Sequence, residues 1–182
     1  MKYRWWIIIA VLLFAIGIVF GLNTPPGIAS LLSDELTALE ELGAILAPFT
    51  LYTVLFIFLK NVVALLVSFA LSPIFCLVPI LALAVNGWLV ALVSTIVMEE
   101  ESLGFVLAGL LPHGVIELPA LFIGEAAALS FGAMAVIALF KKGKRNLLLP
   151  SLKQNLKYLC IALALFLPAA VIETYVTPLL IT

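Results

Sequence analysis

The chain has 182 residues, of which 65% are hydrophobic and 10% charged, and its net charge is −1. A soluble domain is nearer half apolar and a quarter charged, so a mean hydropathy of +1.33 excludes an ordinary water-soluble globule and makes lipid the solvent for much of the surface. With no basic excess, nothing recommends nucleic acid as a partner.

In chain order, Lys2 and Arg4 precede an apolar run over 5–22. That run resembles a signal peptide but lacks a small-residue cleavage site, and further apolar segments follow it, so it reads as a retained signal anchor. The connection 23–48 carries Asp34, Glu35, Glu40 and Glu41 interleaved with Leu36, Leu39, Leu42, Ala44 and Leu46. Segment 28–48 is therefore expected to lie on the outer surface as a short amphipathic helix, with Ser33 as its N-cap. Apolar runs over 49–71 and 74–97 follow, joined by Ser72–Pro73, and each has the length of about 20 residues that crosses a bilayer. Three glutamates, Glu99, Glu100 and Glu101, precede a long apolar stretch over 103–140. The loop 141–157 holds Lys141, Lys142, Lys144, Arg145, Lys153 and Lys157, and 147–156 reads as a basic amphipathic counterpart on the inner surface. A last span covers 158–181. Cys76 and Cys160 lie in apolar runs and read as small packing residues.

These segments predict one all-α membrane domain, a bundle of about five spans. Positive charge gathers at the N-terminus and in loop 141–157, and negative charge in the other connections. The positive-inside rule then puts the N-terminus in the cytoplasm and the C-terminus outside a cell membrane. No soluble domain and no internal repeat is visible. The fourth stretch is the unusual one: 38 residues would reach about 57 Å as a straight helix. Pro112-His113-Gly114 falls inside it, and Pro119 follows. Proline removes a backbone donor and clashes with the preceding turn, so the spacing predicts a half-helix over 103–111, a broken or re-entrant segment, and a helix onward to 140.

Ionisable and amide side chains are costly inside a bilayer, so each needs a reason. His113 and Glu117 are four apart on one helical face, with Glu125 eight residues further along it. Asn61 (beside Lys60) and Asn86 lie 11 and 13 residues from the Ser72–Pro73 turn, hence about 16–20 Å up their helices, and Glu173 lies about 24 Å from Lys157. Four helices thus bring polar groups to a similar level. The amides also read as interhelical hydrogen-bond glue, Lys60 as a snorkelling side chain, and Glu125 as a packed neutral carboxyl. As a metal site, His113 and Glu117 need Glu173 or Glu125 to complete three ligands for a divalent ion such as zinc, with Asn61 and Asn86 in support. No HExxH pattern is present.

The stretch Pro112-His113-Gly114-Val115-Ile116-Glu117-Leu118-Pro119-Ala120 resembles the PHGxxELPA signature of the stage II sporulation protein M family of small multi-pass membrane proteins. Asn61, Asn86-Gly87, and Ala170-Val171-Ile172-Glu173 with Thr177-Pro178 resemble that family's other polar positions. Glu125 departs from the small residue expected there. The resemblance implies a membrane scaffold, because the namesake recruits peptidoglycan-degrading enzymes during engulfment, while many relatives occur in organisms that form no spores. Three functions stay open: a scaffold or assembly protein, a homo-oligomer (a dimer) meeting lipid and other membrane or cell-envelope proteins; a metal-binding protein at His113, Glu117 and Glu173, extending to a metal-dependent hydrolase; and an ion or small-solute transporter.

Overall fold

The structure, a computed structural model, describes residues 2–25, 27 and 47–181. Apart from Ala47 and Pro48, the expected outer amphipathic segment 28–48 lies outside the described residues. Five helices are long and apolar enough to cross a membrane, and no strand occurs among the described residues. They are α1 (Tyr3–Leu22), α2 (Leu51–Leu71), α3 (Leu77–Glu100), α4 (Leu103–Phe140) and α5 (Leu148–Tyr175). Helix α2 is capped by Thr50, whose hydroxyl accepts from the Thr53 amide, and α4 by Ser102, which accepts from Phe105.

Helix α4 is the centre of the bundle. It packs along α5 and also touches α1, α2 and α3. Its middle carries Ala120, Gly124 and Ala126–Ala127–Ala128, all buried, which let neighbouring helices approach closely. Leu65 of α2 lies over Gly124, and the carbonyl of Ser72 lies over Gly132, where a Cβ would collide with it. Without a water-driven hydrophobic force between helices in lipid, such small-residue contacts supply the packing.

The second close pairing joins α1 to α3. Gly17 and Gly21 are spaced four apart on α1, and their backbones meet Ala84, Trp88 and Ala91, while Gly87 of α3 meets the carbonyl of Phe14. Residue numbers rise together along this contact, so the two helices run parallel, as two spans that leave the same side must. The GxxxG face that commonly joins separate chains is thus used within this chain.

The expected interruption at Pro112-His113-Gly114 is corrected by the structure, in which α4 runs as one helix from Leu103 to Phe140. Each proline deprives one carbonyl of its usual donor, Ala108 for Pro112 and Val115 for Pro119, but neither loss ends the helix. Helix α4 touches all four other helices, though Leu111 and Val115 leave one face of this stretch exposed, and proline is tolerated in membrane helices where neighbours and local adjustment accommodate the freed carbonyls. Gly114 is likewise helical, and a Cβ on it would meet nothing within 4 Å.

The loop 141–157 is mostly helical. A 3-10 turn covers Lys142–Leu147, and α5 begins at Leu148, ten residues before the start of the expected last span. Because Gly132 sits at the level of the α2–α3 turn, the last eight residues of α4 stand about 12 Å beyond it. The basic hairpin therefore projects past the turn. At that turn Phe75 and Cys76 are left-handed (φ 50° and 57°). The Cys76 thiol donates to the Leu129 carbonyl at 3.5 Å, and burial pushes it up from its ordinary pKa. Both cysteines are free, Cys76 buried and Cys160 exposed.

Candidate metal centre

The α4 face that carries His113, Glu117, Leu121 and Glu125 at four-residue spacing looks toward α2, α3 and α5. Toward the N-terminal end of that face, ligating atoms of His113, Glu117 and Glu173 all lie within 4.8 Å of one another. Glu173 reaches the cluster from α5, antiparallel to α4, near the point where α5 gives way to the 3-10 turn Thr177–Leu179. All three residues are half-buried.

The cluster is held by a shell of neutral partners. The Asn61 amide of α2 donates to Glu117 Oε1 at 2.9 Å, so Oε2 is left facing His113 Nε2 at 3.8 Å. The other ring nitrogen, Nδ1, lies 3.4 Å from the Thr177 hydroxyl. This division suits a metal ligand: one nitrogen bonds outward to a fixed partner and the other faces the site. Two carboxylates this close in an apolar slab repel unless a cation or a proton lies between them. Beside the cluster is a cavity of about 210 Å³ whose wall also includes Lys60, Asn86, Gly114 and Leu121.

The remaining sequence candidates fall in different places. Asn86 reaches the rim of the cavity but is exposed, and its amide donates to its own helix at Ala82. Glu125 is not in the cluster. It is 2% exposed, lies eight residues further inward, and accepts the Ser68 hydroxyl at 2.6 Å. A smaller cavity of about 60 Å³ lies between Glu117 and Glu125, lined also by Asn61 and Asn86. Ser68 of this network, a lone hydroxyl in an apolar helix, gave no distinct signal in the sequence, whereas Thr177 stood out only through the resemblance of its Thr177-Pro178 pair.

The model of the stage II sporulation protein M family matches residues 9–178, nearly the whole chain. The chain belongs to the stage II sporulation protein M family. Two proteins of Methanocaldococcus jannaschii, both named as uncharacterised, are similar to this family member. One is 27% identical over 177 residues, which is 97% of this chain and 96% of its own. The other is 29% identical over 140 residues, covering 76% of this chain and 62% of its own. No solved structure matches. The sporulation-type signature at 112–120 supplies His113 and Glu117, and the family's other polar positions supply Asn61 and Glu173. Those four residues come from three helices to one place.

Proposed function

We propose that this multi-pass membrane protein holds a divalent metal ion inside the bilayer, with His113, Glu117 and Glu173 as ligands. The observation that carries the reading is the convergence of three ligating atoms from two helices within 4.8 Å. At metal bonds of roughly 2.1 Å, tetrahedral ligands stand about 3.4 Å apart, a closure within reach of side-chain rotation. Imidazole and carboxylate together suit zinc or a neighbouring transition ion. Three protein ligands leave a further position open toward the cavity, the arrangement of a catalytic zinc site. Elemental analysis of detergent-purified protein, prepared without chelators, tests this. Near-stoichiometric metal is expected in the wild type and its loss in His113→Ala and Glu117→Gln, with helical content unchanged. A metal-free wild type sinks the reading.

A second reading follows from family membership. Here the chain is a scaffold, working as a homodimer with other envelope proteins, and the cluster serves to tie α2, α4 and α5 together. Its support is that Asn61, Glu117, His113 and Thr177 already form a chain of polar contacts across those elements. In that case Glu117→Gln leaves assembly intact, and cross-linking in membranes captures a dimer. For both readings we place the N-terminus and the basic hairpin in the cytoplasm and the C-terminus outside, on the charge asymmetry of the connections.

A further inference from the structure

The cavity beside the cluster has a cation that the cluster does not use. Lys60 lines it from α2, is exposed, and makes no hydrogen bond or contact ion pair among the described residues. It stands 12 residues from Ser72, about 18 Å along α2 and within the hydrocarbon slab, where an unmatched charge is costly. Glu173 lines the same cavity. With a divalent ion in place, however, Glu117 and Glu173 balance the ion, and the Lys60 charge is left over. Glu125, the remaining carboxyl on this face, is further inward and bonded to Ser68, so it does not face Lys60. The loaded site therefore carries one positive charge in excess and has an open coordination position beside it. It calls for an anion.

The route to the site is sideways. Helix α2 packs on α5 and α4 alike, α3 packs mainly on α1, the two hardly touch each other, and the exposed rim residues Lys60 and Asn86 come one from each. The cavity thus opens between them at the level of the hydrocarbon. Outward, the next cavity along α3 and α4 is walled mostly by apolar side chains, Val93, Val97, Phe105 and Val106, with Ser94 among them. Inward, Leu65 closes over Gly124.

We propose that this lateral mouth admits a lipid with a small anionic headgroup, a phosphate monoester or a carboxylate. One headgroup oxygen takes the open metal position, another accepts from the Lys60 ammonium, and the apolar chain stays in the bilayer. This inference rests on the metal reading, since the excess charge exists only when the ion is bound. The test uses zinc-loaded, full-length protein in neutral detergent, with dodecyl phosphate, dodecanol and inorganic phosphate as probes, binding read by calorimetry and metal content measured on the same samples. Dodecyl phosphate is expected to bind at least about tenfold more tightly than either other probe. Lys60→Gln is expected to lose about tenfold of that affinity while keeping its zinc, and Lys60→Arg to retain most of it. Zinc bound but dodecyl phosphate no tighter than dodecanol overturns the inference alone, and so does unchanged binding in Lys60→Gln. Equal binding of inorganic phosphate makes the site one for a free anion and overturns the lipid source. A wild type without metal overturns both readings.

Discussion

At Glu117 the two carboxylate oxygens face different neighbours: Oε1 takes the Asn61 amide at 2.9 Å and Oε2 turns toward the His113 ring. In the proposed metal site Asn61 would therefore aim the free oxygen without being a ligand itself. Asn61→Leu is expected to lower zinc affinity about 10–100-fold, measured by competition with a chelator, while the fold survives. Eight residues inward, the Ser68 hydroxyl is the one hydrogen-bond partner found for the buried Glu125 carboxyl among the described residues. Ser68→Ala is expected to cost about 1–3 kcal/mol, seen as a lower thermal midpoint in detergent, because the carboxyl is left buried without its donor. Glu125→Gln, which still offers an oxygen to Ser68, is expected to cost less. His113, Glu117, Glu173 and Asn61 were legible in the sequence because such groups are too costly in lipid to be idle. Ser68 was not, since a hydroxyl can satisfy itself on its own helix and so raises no alarm, and Thr177 drew notice only through its Thr177-Pro178 resemblance. Asn86 marks the boundary: the sequence singled it out, and the structure brings it only to the rim.

Among the elements, the spans were readable from hydropathy alone, because a bilayer dictates their length. What local chemistry misjudged was α4, where Pro112 and Gly114 spoke for an interruption and the surrounding helices outweighed them. Proline's cost is set by whether the freed carbonyl and the bent path can be accommodated, and that depends on neighbours the local sequence does not display. Helix α5 begins ten residues before the expected last span, because the segment 147–156, read as a basic amphipathic counterpart on the inner surface, is continuous with it. Glycine shows the same dependence on context. Gly87→Ile forces a side chain into the Phe14 carbonyl and is expected to cost at least the roughly 1–3 kcal/mol of an overpacked core. Gly114→Ala, where a Cβ meets nothing within 4 Å, is expected to leave the thermal midpoint unchanged.

For the whole molecule, orientation is open to a direct measurement. With a membrane-impermeant maleimide, Lys144→Cys is expected to react only from the cytoplasmic face and Glu101→Cys only from outside, and the reverse pattern would invert the topology. The background is kept low by working in Cys160→Ala, since Cys160 is exposed, while Cys76 is buried and its raised thiol is largely unionised at neutral pH. The parallel contact between α1 and α3 also has a consequence for biosynthesis. Gly21 meets Ala91, so the glycine face of α1 lacks this docking surface until about 70 further residues are made, roughly 4–14 s at ordinary translation rates. During that interval α1 waits in the translocon or in bare lipid with its glycine face uncovered. A chaperone or a second nascent chain that covers this face early would delay the fold without altering any residue of the finished protein.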